Sequence, residues 1–247
     1  MEDYTEIDNQ WLKIAHKSSI KWAKENPYSE NIMDVKYRVL LFGGTFNPIH
    51  NGHLVMAQEA IERLDFNEVI FIPSATPPHK GDTLSFSHRL KMVKLATEDI
   101  DYFKVSDIES KRDGPSYTID TIRHFKSKLR ENAKVYWLIG TDTIYKLKTW
   151  HKPKELLKEC RFILAERNPY IHYAKSGDFL SFLREHTKDI VDIPIMNHFV
   201  PLVNAVLEIS SSDVRDKIFC KEKYGIRFLV PPKVEQYIYD NKLYTNK

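Results

Sequence analysis

Cysteine is nearly absent from this 247-residue chain: there are two, Cys160 and Cys220, far apart and in no CxxC spacing. That excludes a zinc ribbon and a disulfide-stapled secreted fold, and both read as ordinary reduced thiols. No apolar run approaches the ~18 residues that a membrane span needs, and no basic stretch leads into an apolar one after Met1. The expectation is a soluble, cytoplasmic protein with no membrane partner. Charge of one sign is equally scarce, since Lys+Arg 37 against Asp+Glu 34 gives +3 with no concentrated basic run. A dedicated nucleic-acid binder shows such a face, so no nucleic-acid partner is expected. Internal repeats and low-complexity tracts are missing too.

What is present is length enough for a well-buried core and an alternation of two hydrophobic periods. Residues 1–36 are polar and without β-branched runs, apart from a short helix-like stretch at Ile20–Lys24, and read as an extension or cap. From Tyr37 onward the chain reads as one domain, residues 37–247. Apolar runs at Arg38–Phe42, Glu68–Pro73, Lys104–Ile108, Val135–Gly140 and Arg161–Ala165 read as strands. Amphipathic stretches at Leu54–Leu64, Arg89–Thr97, Tyr117–Leu129 and Lys154–Lys158 separate them. Strands apolar throughout, alternating with helices, predict a parallel sheet covered on both faces. The fold class is therefore α/β: a Rossmann-like, doubly wound parallel sheet with a small C-terminal helical part. For that last part the pattern predicts helix over Gly177–Glu185, strand over Val203–Ile209, and helices over Ser211–Phe219 and Pro232–Asp240. Ligands of such sheets bind outside the carboxyl ends of the strands. Four loops, at Gly43–His53, Ser74–Lys80, Lys111–Tyr117 and Gly140–Asp142, follow such ends and are expected to share one mouth.

The first of these loops carries most of the chemistry. Its glycines, Gly43, Gly44 and Gly52, suit a tight turn in which backbone and helix N-terminus approach an anion. His50 and His53 lie three residues apart, on one face of a starting helix, where they can grip one ligand together. The stretch is neither a Walker loop nor a GxGxxG turn. A second stretch, Ile209–Arg215, places serines at a helix start and an arginine one turn inside, all within reach of one anion. On its own it reads more readily as a helix cap with an arginine in a surface salt bridge.

These residues resemble the HxGH nucleotidyltransferases, whose fold also underlies the class I aminoacyl-tRNA synthetases. Further segments narrow the match: Ile72–Lys80, Arg89–Met92, Val105–Glu109, Pro115–Thr121, Gly140–Asp142, Thr149–His151 and the ISSSDVR stretch. In this order and spacing they resemble the bacterial nicotinate mononucleotide adenylyltransferases of NAD biosynthesis, over about Tyr37 to Tyr244. The resemblance implies that the partners are ATP and nicotinate mononucleotide. His50 and His53 would hold the ATP phosphates, His53 nearest the α-phosphate, with Gly43, Gly44 and Thr45 beside them and Lys80 lying over them. Ser211, Ser212 and Arg215 would bind the triphosphate tail, and Gly140 and Asp142 the adenosine. Tyr117 and Thr118, with Trp150 and His151, would form the nicotinate pocket, the indole stacking on the pyridine ring and backbone amides receiving the carboxylate. Asn47 would contribute from the position where the family more often has aspartate. His50, His53, Lys80 and Arg215 would be the catalytic set.

The chemistry agrees with that assignment. A nucleotide phosphate attacks the α-phosphorus of ATP and pyrophosphate leaves, which calls for alignment and charge neutralisation rather than a protein nucleophile. Mg²⁺ held mainly by phosphate oxygens and water would complete the set, with no protein metal site. Rivals within this chemistry are an enzyme preferring the nicotinamide nucleotide and a phosphopantetheine adenylyltransferase. The latter is disfavoured by the segments after Gly140 and by Trp150. A synthetase fragment or RNA-binding descendant is disfavoured by the mild charge and by ISSSDVR standing where a KMSKS-like loop would be. A non-catalytic nucleotide sensor would be expected to have lost a phosphate-gripping group. Homo-oligomerisation is left open by the sequence.

Overall fold

The computed structural model describes residues 37–77, 83–129, 133–166, 179–191, 197–202, 204–205, 207–222 and 225–245. The extension at residues 1–36 and Lys80 lie outside them. Six strands form one parallel sheet: β1 (Tyr37–Gly44), β2 (Glu68–Pro73), β3 (Phe103–Val105), β4 (Ala133–Gly140), β5 (Arg161–Ala165) and β6 (Phe199–Leu202). Their order is β3-β2-β1-β4-β5-β6. β1 is shared by both halves, Leu41 lying opposite Ile70 of β2 and Trp137 of β4. The order reverses at β1 and β4, and a crevice opens beyond their carboxyl ends.

The strands form because both their faces are covered. Val39, Leu40, Leu41, Val69, Phe71, Ile72, Leu138, Phe162 and Leu164 have no exposed surface. Burying one such side chain contributes roughly 1.5–3 kcal/mol, which sets the register firmly. The first helices are α1 (Asn51–Leu64), α2 (Phe86–Thr97) and α3 (Thr118–Lys128). They are followed by the short α4 (Ile144–Leu147), α5 (Pro153–Glu159) and α6 (Phe179–Thr187). Past β6 come α7 (Ser211–Phe219) and α8 (Pro232–Asp240), the C-terminal helical part. This part folds back onto α2, where Lys233 pairs with Glu98 and Asp99, and His88 Nδ1 and the Tyr237 hydroxyl lie 2.8 Å apart.

Two strand assignments differ from the pattern. β3 stops at Val105 because the Ser106 hydroxyl accepts the Ile108 N–H (3.3 Å) and the chain turns into a 3₁₀ turn at Ile108–Lys111. The last strand is Phe199–Leu202 rather than Val203–Ile209. Pro201 argues against a strand in the sequence, yet β6 is the sheet edge, where a missing N–H is tolerated. The ladder ends at Leu202, and just beyond it the Asn204 side chain pairs with Glu166: Glu166 N–H donates to Asn204 Oδ1 (2.8 Å) and Asn204 Nδ2 donates back to Glu166 O (3.4 Å). Beyond it Leu207 is exposed, so no sheet surface recruits that run.

Candidate active site

β1 delivers the chain into the crevice through Gly43 and Gly44; packing demands the first and leaves little room at the second. A Cβ on Gly43 would lie 2.2 Å from Trp137 Cζ2, and one on Gly44 3.0 Å from Phe46 Cζ. Gly43 thus makes room for a neighbouring indole, where the sequence suggested room for a ligand. Phe46 takes a left-handed backbone (φ 47), and its ring stands edge-on to Phe42 (5.5 Å) and His53 (5.1 Å). After the cis Asn47–Pro48 bond, His50 precedes α1 in extended conformation and is 2 % exposed.

The two histidines stack, centroids 3.6 Å apart. His50 N–H donates to His53 Nδ1 (3.2 Å), so the proton of the neutral His53 ring sits on Nε2. A Cβ at Gly52 would come within 3.1 Å of His50 Nδ1, and glycine there gives the first ring its place. Of the N–H groups that open α1, that of Asn51 goes to Leu229 O (2.8 Å) and that of His53 to His50 O (2.9 Å). The helix start is therefore less open to an anion than the sequence suggested, and the imidazoles carry more of the task.

The loop is held from three directions. Arg89, 1 % exposed, donates to Thr45 O (2.8 Å), Leu84 O (2.8 Å) and Ala75 O (3.4 Å), and its burial lowers its pKa from the usual guanidinium value. From α7, the Ser211 hydroxyl donates to Pro48 O (2.8 Å), and Arg215 donates to Asn47 O (2.8 Å) and Ser212 Oγ (3.2 Å). From the C-terminal segment, the Tyr244 hydroxyl donates to Asn47 Oδ1 (2.9 Å), which also accepts the Leu84 N–H (3.4 Å). α7 begins with a capping box in which Ser210 Oγ accepts the Asp213 N–H (3.0 Å).

Across the cleft the turn before α3 meets the loop after β2. Thr76 N–H donates to Ser116 Oγ (3.1 Å) and Ser116 N–H to Thr76 O (3.0 Å). Tyr117 lies flat against His151, centroids 4.1 Å and planes 16° apart. Trp150 stands edge-on to Phe162 at 6.5 Å and is half-buried. The stacked pair at this end is thus Tyr117 with His151, and the His151 side chain has a role that its backbone amide alone would not predict. Gly140 ends β4, followed by buried Thr141 and exposed Asp142.

All of these surround one cleft of about 1020 Å³, the upper end for small-molecule sites and roomy enough for two nucleotides. Every site residue anticipated from the sequence lines it, Lys80 excepted, which lies outside the described residues. The side chains of Asn47 and Ser211 have structural partners already. Sequence reasoning missed Arg89, Tyr244 and Trp137, which shape the loop from distant points of the chain, and Glu109, Lys146 and Lys152, which line the cleft. Among the described residues no three His, Cys, Asp or Glu side chains gather as a metal site, and no helix is long and apolar enough to cross a membrane.

The cytidylyltransferase-like family model matches residues 41–217, from β1 into α7. A Dehalococcoides mccartyi protein named "Probable nicotinate-nucleotide adenylyltransferase" is 38 % identical over 217 residues, spanning 86 % of this chain and 100 % of that one. The chain belongs to the nicotinate-nucleotide adenylyltransferase family. A Caldicellulosiruptor bescii protein of the same name is 39 % identical, over 81 % of this chain and 95 % of its own. The fold is shared with a solved Plasmodium falciparum nicotinic acid mononucleotide adenylyltransferase complexed with NaAD, at TM-score 0.62 and 19 % identity, covering 84 % and 97 % of the two chains. Membership makes the chain an enzyme, a nucleotidyltransferase of NAD biosynthesis built on a Rossmann-like sheet.

Proposed function

We propose that the reaction runs across this cleft, with ATP phosphates on the β1–α7 side and the pyridine nucleotide on the α3 side. The chain transfers the adenylyl group of ATP to nicotinate mononucleotide, giving nicotinate adenine dinucleotide and pyrophosphate. A phosphate oxygen of the mononucleotide attacks the α-phosphorus of ATP. The bond from that phosphorus to the β-bridging oxygen breaks, and its electrons leave with pyrophosphate. No proton has to be taken by the protein, so catalysis is alignment and neutralisation of charge.

The observation that carries this reading is the His50–His53 stack on the cleft wall, with the His53 ring held from its Nδ1 side. His53 stabilises the α-phosphate as charge grows there, and His50 supports it from the buried side. Arg215 and the N–H groups of Ser211 and Ser212 at the start of α7 receive the leaving pyrophosphate. Lys80 adds a cation from the loop after β2. Gly43, Gly44 and Thr45 form the wall along the phosphates, and Gly140 and Asp142 receive the adenosine. Asn47 acts through its carbonyl, which anchors Arg215. On the other side Trp150 offers its ring to the pyridine, Tyr117 and His151 close the pocket, and the α3 N-terminus at Thr118 presents N–H groups to the carboxylate.

The lining suits Mg²⁺ entering as the ATP complex, since it is rich in cations and amides and its acids Asp142 and Glu109 form no cage. Such an ion is held by phosphate oxygens and water, and supplies neutralisation of the phosphate charge. The test is pyrophosphate release from ATP and Mg²⁺ with nicotinate mononucleotide, nicotinamide mononucleotide and phosphopantetheine in parallel. Strong preference for the first is expected. Preference for the amide would keep the mechanism and refute the carboxylate pocket, and release with none would refute the reading.

A further inference from the structure

Glu109 has no part in the mechanism above, yet it is one of the most buried acids of the described residues, 4 % exposed, and it lines the cleft. A carboxyl in that position is costly unless it organises its surroundings. It sits behind the seam where the loop after β2 meets the turn before α3. Its Oε1 accepts the Thr121 hydroxyl (2.8 Å), and Thr121 is wholly buried in the first turn of α3. Thr121 Oγ1 accepts in turn from Arg112 Nη2 (2.5 Å), which lies 3.8 Å from the carboxylate. The Ser116 hydroxyl and the Ala75 N–H lie near enough to oppose the effect of burial on the Glu109 carboxyl, but neither completes a hydrogen bond to it. Oε2 is buried without a fully formed hydrogen bond.

These contacts join two segments distant in sequence. Ser116 is the residue that pairs with Thr76 in both directions, and Ala75 is held at its carbonyl by Arg89. Thr121 lies one turn beyond Thr118, so whatever fixes Thr121 also fixes the orientation of the N–H groups that open α3. The carboxylate thus holds the helix start through Thr121 and lies beside the turn and the opposing loop, which bond each other and together form the wall of the pyridine side. It makes no hydrogen bond to α7 or to the histidine loop, and its charge reaches that loop only through the Arg89 guanidinium, which donates to Thr45 O.

We propose that Glu109 is a positioning residue for the pyridine nucleotide, holding the Ser116–Thr118 turn and the Ser74–Thr76 segment as one rigid receptor. It sets affinity for that substrate and leaves the ATP side untouched. The inference rests on the functional reading above, with nicotinate mononucleotide bound at this end.

Steady-state kinetics of the full chain, with each substrate varied in turn, test it. Glu109→Ala is expected to raise the KM for nicotinate mononucleotide by roughly ten- to a hundredfold, the size of effect that slight misplacement produces, with the KM for ATP within about twofold of wild type. Thr121→Val, nearly isosteric and without the bridging hydroxyl, is expected to move in the same direction and keeps the test open should the alanine variant fold poorly. Glu109→Gln retains an acceptor for Thr121 and is expected to recover most of the lost affinity. A fall in Tm with the ratio of the two KM values unchanged would reduce Glu109 to a structural group and overturn the proposal, as would equal rises in both. Wild type without turnover on nicotinate mononucleotide would overturn the functional reading and this inference together, whereas an active wild type with no split overturns this inference alone.

Discussion

The two sides of the cleft are built on different principles. On the phosphate side the groups are tied to the backbone: His50 and Asn47 are 2 % and 7 % exposed, His53 and Arg215 are half-buried, and the backbone carbonyls of Thr45, Asn47 and Pro48 each receive a side-chain donor from far along the chain. On the pyridine side the contacting groups are rings, half-buried at Tyr117 and Trp150 and exposed at His151, held by stacking and edge contacts. The difference follows from the chemistry. Charge develops on a phosphate during the reaction, and donors help most when they do not have to reorganise. A pyridine ring has only to be bound and oriented, and a flat aromatic surface does that at little entropic cost.

Changes on the tied side are expected to act on turnover and folding, and changes on the stacked side on affinity. The largest effect is predicted for His53→Ala, which should lower turnover by ~10² or more, the usual consequence of losing one transition-state donor. Its Tm should stay close to wild type, and near-normal turnover would remove His53 from the mechanism. Arg89→Met comes next. It deprives three half-buried carbonyls of their donor, and a loss of about 3 kcal/mol in urea denaturation is expected, since hydrogen bonds to charged groups contribute about 1.5–3 kcal/mol each. An unchanged midpoint would mean the three loops hold one another without it.

On the stacked side, Trp150→Ala should raise the KM for the pyridine nucleotide about tenfold, in line with an aromatic contact of about 0.5–1.5 kcal/mol, with little change for ATP. Equal effects on both substrates would contradict its stacking role. The smallest effect concerns pH. Burial raises the Glu109 pKa above its ordinary value of 4.5, so the folded state holds that proton when the unfolded chain has released it. Its contribution to stability is therefore greatest below the unfolded pKa and declines as pH rises through the folded one. Glu109→Gln should gain stability relative to wild type across that interval. A difference in Tm that stays constant from pH 4 to 7 would contradict this.

The sequence announced what is local and left unspoken what is distant. β2, β5, α7 and α8 could be read residue for residue because an apolar run bounded by polar residues, a serine cap or a proline at the helix start all lie within the element itself. His50 and His53 were legible for the same reason, three residues apart between glycines. Arg89 was visible only as part of a motif. Its service as a donor to Thr45, Ala75 and Leu84 depends on three loops meeting in space. The Tyr244 bond to Asn47 spans almost the whole domain, and no periodicity records it. β6 was misplaced because local propensity speaks against Pro201, while an edge position in the sheet tolerates it.

The central seam of the sheet has a consequence for how the enzyme comes into being. β1 borders β2, which follows it closely, but its other neighbour, β4, arrives only after two strands and three helices have been made. Pairings between segments so remote in sequence are slow to close, since chain entropy must be lost before any contact compensates for it. Until β4 docks, Gly43 has no indole to face and the histidine loop has no opposite wall. Catalytic competence and completion of the fold are therefore one event, and a partly folded chain has no half-built adenylyl-transfer site that could turn over ATP on its own.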